Sequence, residues 1–163
     1  MAGMTQDHPI FTESIRRIRE LLGDTGLQAL EQDVLERLVH SSGDPSIAEL
    51  LRFSPGACEV GLAALRAGAV ILTDTEMAAA AVTPMARRTL RSTVRTVLEW
   101  APDQAPKEST RTAEGIQRAW SSLNENVSVP APVVLIGSAP TALERLLNTV
   151  AAGARPASLI IGM

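Results

Sequence analysis

Three short, largely apolar runs constrain this chain more than any other feature: "AVILTD" (69–74), "APVVLIG" (131–137) and "ASLIIGM" (157–163). A strand with one wet face alternates apolar and polar residues, whereas a strand covered on both faces is continuously apolar. A fourth segment, "RSTVRTVLEW" (91–100), is β-branched and alternates weakly, and is expected to be a further strand. Between these runs lie helical patterns: "TEMAAAAV", "TRTAEGIQRAWSSL" and the segment opening at Pro140. Strand–helix alternation with apolar strands predicts an α/β fold, a three-layer sandwich with a central, mainly parallel sheet.

Helices precede the first strand. Ile10, Ile15, Ile18, Leu21 and Leu22 recur at helical spacing until Gly23. Leu27, Leu30, Val34, Leu35, Leu38 and Val39 repeat the pattern until "SSG". Asp44-Pro45 and Ser54-Pro55 each put a capping side chain before a proline and predict two more helix starts, the second leading into "GACEVGLAALRAG". Asp74 is expected first to cap the helix after "AVILTD" and second to serve a site.

At 163 residues the length favours one domain. With two Phe, two Trp and no Tyr, the core must be aliphatic, and the scarcity of aromatics argues against a base-stacking surface. A net charge of −3 offers no footprint for nucleic acid. The single cysteine, Cys58, excludes an intrachain disulfide and a multi-cysteine metal site, and suits the reducing cytoplasm. No secretory h-region is visible at the N-terminus, and the most apolar later stretch is broken by Asp74 and Glu76, so no membrane span is expected. Residues 84–118 hold seven basic side chains against four acidic ones. Such a stretch in an acidic chain fits an anionic ligand or a solvated face.

Few residues are equipped for chemistry. His40 closes its helix, where the macrodipole favours an imidazolium able to donate a proton; it equally reads as a surface histidine near a helix end. Arg37, one turn earlier, shares nearly the same face and suits either a carboxylate contact or solvent. The turn "GSAPT" (137–141) presents N–H groups at a helix start, a place for an anion or an ordinary βα turn. It lacks the glycines of a nucleotide motif. Ser14 lies in the first helix with no base at useful sequence spacing. With only His8 and His40, no zinc motif can be assembled. One histidine, several arginines and no metal or nucleotide signature suit acid-assisted rearrangement or polycarboxylate binding better than hydrolysis or redox work.

"RLVHSSGD", "FSPGACEVGLAALRAGAVILTDTEMAAAAVT", "STRTAEGI" and "VVLIGSAPTALERLL…GARPASLIIGM", in that order, resemble the precorrin-8X methylmutase family, from about Pro9 to Met163. The resemblance implies a homodimer with active sites at the subunit interface and a cofactor-free, metal-free isomerase of cobalamin biosynthesis. Its reaction moves a methyl group from C-11 to C-12 of precorrin-8X, giving hydrogenobyrinate; a cobalt-containing branch turns cobalt-precorrin-8 into cobyrinate. It implies that His40, in "RLVH", is the catalytic acid. Substrate contacts are implied at Ser14, Arg37, Asp74, Thr83, Arg111 and Ser138, with Arg111 clamping a carboxylate.

Three segments depart from the family pattern. Glu108-Ser109 stands where the family has Gly-Asn, Gly137-Ser138 where it has Gly-Asn, and family chains continue past Ile-Gly-Met into Pro-Val-Gly-Phe. The expectation is thus a single methylmutase-like domain over 1–163 without that last segment. The alternative is a catalytically inactive corrinoid-binding or dimer-scaffold paralogue.

Overall fold

A computed structural model describes residues 8–162, so Met163, the end of the third apolar run, lies outside the described residues. The chain divides into two compact units, residues 1–58 and 59–163.

In the first unit, α1 (Pro9–Leu22) packs on α2 (Ala29–Ser42). Ile18, Leu35 and Val39 form its buried centre, flanked by Ile15, Leu22 and Leu27. Both helices stop on glycines with positive φ, Gly23 (63°) and Gly43 (71°), a backbone region that other residues enter at a cost. The expected helix after Asp44-Pro45 is one turn only, α3 (Ile47–Leu50). Asp44 does cap this start, its Oδ1 accepting from the Ser46 N–H and hydroxyl, and the turn ends where Leu51 becomes extended.

Helix α4 (Ala57–Arg66) starts two residues after Pro55, and all but its first two residues belong to the second unit. Strands β1 (Ile71–Thr73), β2 (Val94–Thr96), β3 (Val133–Ile136) and β4 (Leu159–Gly162) form one sheet in the order β2-β1-β3-β4, with every pairing parallel. Helices α5 (Glu76–Arg88), α6 (Arg111–Asn124) and α7 (Pro140–Ala151) make the crossovers. Alternate strand residues face different layers. Leu72, Val134 and Ile136 join Ile116, Ala119, Trp120, Ala142 and Leu146 of α6 and α7 in one core. Val133 and Leu159 meet Ala64 and Leu65 of α4 in another. The expected layered α/β arrangement is present, with seven α-helices among the described residues.

Two local expectations are corrected. "RSTVRTVLEW" is a strand only over Val94–Thr96; the Thr96 hydroxyl and the Glu99 carboxylate then cap a 3₁₀ turn, Val97–Trp100. Asp74 does not cap α5. Thr75 does, its hydroxyl accepting from the Ala78 N–H at 3.2 Å.

That 3₁₀ turn lies against α6 at Gly115, where a Cβ would stand 2.4 Å from the Val97 carbonyl oxygen. A backbone atom cannot yield as a flexible side chain does. Gly115→Ala is therefore expected to cost about 1–3 kcal/mol, the range for overpacking a close contact. The corresponding fall in melting temperature is roughly 3–10 °C by circular dichroism. An unchanged melting temperature would refute the close approach.

Candidate active site

In the first unit, antiparallel packing of α1 on α2 brings residues 14 and 40 together although 26 positions separate them. The Ser14 hydroxyl and His40 Nδ1 are 2.7 Å apart. The Phe11 ring meets the imidazole edge-on at 4.9 Å, and the Arg37 guanidinium lies over that Phe11 ring, 4.9 Å from its centroid. His40 is exposed and Ser14 half-buried, so the pair is open to a ligand. Its hydrogen bond also fixes which ring nitrogen is occupied. With Nδ1 held by Ser14, Nε2 is left for proton exchange.

Further along the same pair of helices, Glu36 is 1% exposed, and its carboxylate accepts from Arg19 Nε at 2.7 Å and Nη2 at 2.9 Å. The Arg19 guanidinium holds the Glu36 carboxyl below its ordinary range, with Gln32 adding a third donor at 2.9 Å. Arg19, Glu36 and Arg37 line an open cleft of about 930 Å³ with Phe11, Ile15 and Arg16.

The second unit places Asp74 at the carboxyl end of β1, where the strand order reverses between β1 and β3. Open α/β sheets bind ligands at such switch points. Here a side chain of the protein fills the place: Asp74 Oδ2 accepts from the N–H groups of Gly137 (3.0 Å), Ser138 (2.7 Å) and Ala139 (2.8 Å). Of the two readings of the "GSAPT" turn, an anion site or an ordinary βα turn, the structure favours the second, because an internal carboxylate already holds its N–H groups. Asp74 is 0% exposed, so any service to a ligand goes through the turn it holds; the Ser138 side chain is exposed on that turn.

Arg111 opens α6, exposed, with its Nε donating to the Pro102 carbonyl at 2.8 Å. Beside it Thr110 caps the helix and shares a hydrogen bond with Thr141 of α7 at 2.8 Å. Thr83 is half-buried and donates to the Ala79 carbonyl one turn back at 2.6 Å. In the basic stretch, Arg95 pairs with Glu99 at 2.6 Å and lies over the Trp100 ring, so part of that charge is neutralised internally. Among the described residues no three His, Cys, Asp or Glu side chains gather as a metal site, and no helix is long and apolar enough to cross a membrane.

The model of the precorrin-8X methylmutase family matches residues 9–163. The chain belongs to the precorrin-8X methylmutase family. It is 36% identical to a precorrin-8X methylmutase of Pseudomonas aeruginosa, covering 94% of this chain and 72% of that one. It is 30% identical to a cobalt-precorrin-8 methylmutase of Synechocystis, covering 96% and 76%. A crystal structure of precorrin-8X methyl mutase from Thermus thermophilus superimposes with a TM-score of 0.78 at 34% identity, covering 94% of this chain and 73% of that one. Precorrin-8X methylmutases are intramolecular methyl-transferring isomerases of cobalamin biosynthesis.

For this methylmutase-family chain, Ser14, Arg37 and His40 come together in one unit, and Asp74 and Ser138 in the other. Sequence reasoning missed Phe11 and the Arg19–Glu36 pair. A signal for the second existed: Glu36 falls between Leu35 and Val39, on the buried stripe of α2, where an acid needs a partner.

Proposed function

We propose that this chain moves the methyl group of precorrin-8X, or of its cobalt-containing counterpart, from C-11 to C-12, with His40 as the acid. The observation that carries the assignment is the Ser14–His40 contact of 2.7 Å, which singles out one ring nitrogen for chemistry. In the imidazolium form Nδ1–H donates to Ser14, and Nε2–H protonates the macrocycle. The electron-poor ring then lets the C-11–methyl bond break as the C-12–methyl bond forms. The proton returns to Nε2, so substrate and product are isomers and no redox partner is consumed.

A corrinoid is a wide apolar ring edged with carboxylates. Arg37 and Arg111, both exposed, are suited to grip those carboxylates, with Ser138 and Thr83 as hydroxyl contacts and Asp74 acting through the turn. The same reading makes the protein a cytoplasmic homodimer, which the lone cysteine fits and sedimentation tests.

Mixing the purified protein with precorrin-8X tests the reaction through the visible spectrum, which changes on formation of hydrogenobyrinate. Binding of hydrogenobyrinate without conversion of precorrin-8X would leave a corrinoid-binding module instead. Ser14→Ala is expected to slow turnover about ten-fold, because the hydroxyl orients the acid without itself transferring the proton. Turnover at the normal rate would remove Ser14 from the mechanism.

A further inference from the structure

We propose that Arg19 and Glu36 are positioning residues that set the register of α1 on α2 and so hold Ser14 against His40. The inference extends the reading of His40 as the acid and rests on it for its catalytic consequence. Aliphatic contacts drive the two helices together, but Ile15, Ile18, Leu22, Leu35 and Val39 can interlock in more than one register. Sliding one helix by a single residue moves it about 1.5 Å, enough to break a 2.7 Å hydrogen bond.

The ion pair removes that freedom. Glu36 lies one turn before His40 on the same face of α2, and Arg19 lies five residues after Ser14 on α1. The two parallel hydrogen bonds of a guanidinium to a carboxylate fix both distance and orientation. The carboxylate is almost wholly covered, so any register that parts it from Arg19 leaves a buried charge unpaired. Gln32 ties Glu36 back along its own helix, and Asp33 stands 3.9 Å from Arg19. Alternative registers are therefore disfavoured by a group one helical turn from the acid on α2.

The test reads the imidazole directly, by nitrogen NMR of protein labelled at histidine. The His40 signals are assigned by their loss in His40→Ala. Ser14→Ala supplies the spectrum of a His40 without its hydroxyl partner. Arg19→Lys keeps the charge but not the two-pronged geometry, and Arg19→Met with Glu36→Leu removes the buried pair altogether.

Both variants are expected to move the His40 nitrogen signals towards the Ser14→Ala pattern while circular dichroism stays helical. On precorrin-8X, kcat is expected to fall about ten-fold with KM nearly unchanged, as for a misplaced acid. A wild-type His40 spectrum in folded Arg19→Lys overturns the proposal, as does a Ser14→Ala spectrum identical to wild type. If the double variant fails to fold, the Arg19→Lys spectrum decides alone. If the wild-type protein fails to convert precorrin-8X while the NMR shifts occur, the positioning role stands and only the functional reading falls.

Discussion

His40→Ala is expected to lower turnover of precorrin-8X by roughly 10²–10⁴-fold, the usual contribution of a positioned general acid. The loss should fall on kcat. The proposed carboxylate contacts, Arg37 and Arg111, are untouched, so KM should change little. Stability should hardly move, because His40 is exposed and its removal leaves no buried group unpaired except a half-exposed hydroxyl that water can serve. Rapid mixing with precorrin-8X in single-turnover amounts, followed by visible absorption, separates the chemical step from product release. Turnover at the wild-type rate would remove His40 from the reaction, whatever family the chain belongs to. Ser14→Ala gives the second reading of the same pair, with a smaller loss because the imidazole itself remains in place.

Legibility in the sequence followed the range of the interaction. The parallel sheet was readable because full burial writes itself as continuous apolar runs, as in "VVLI" of β3. The helices α1, α2 and α7 were readable from their spacing and their glycine or proline ends. Short-range competition blurred the rest. Leu51 turns extended and leaves α3 a single turn, while Thr96 and Glu99 turn a promising strand into a 3₁₀ turn.

Contacts that depend on how elements pack were not readable at all. Ser14 had no base within useful sequence spacing, yet antiparallel helices put one 2.7 Å away. Asp74 and the N–H groups it holds are 63 to 65 positions apart, and nothing local distinguishes such an acid from a helix cap. Glu36 was the intermediate case, visible as an acid on an apolar stripe but silent about its partner.

Asp74→Ala is expected to destabilise the protein by about 3–5 kcal/mol, the combined cost of leaving turn donors without an acceptor and a helix start without its anion. Its carboxylate accepts from three N–H groups at the start of α7, that of Ala139 buried, and a buried donor left without a partner costs about 1–3 kcal/mol. The helix end adds to this, because its partial positive charge loses the anion that balances it. Asp74→Asn should cost less than Asp74→Ala. An amide oxygen can still accept from the turn, but it brings no charge, and its NH₂ takes the place of Oδ1, which has no hydrogen-bond partner among the described residues. The size of the cavity suggests a sharper check. In Asp74→Ala the vacated space matches a small carboxylate, so formate should raise the melting temperature saturably, while chloride at equal ionic strength should not. Wild-type protein, with the place already filled, should show no such rise. Thermal melts of the three proteins, with and without formate, distinguish an internal anion from ordinary packing: an alanine variant as stable as wild type would mean that the turn holds itself. If the order is as expected, the switch point that other α/β sheets open to ligands is closed here by the protein's own carboxylate, and substrate recognition must be sought in exposed side chains such as Ser138.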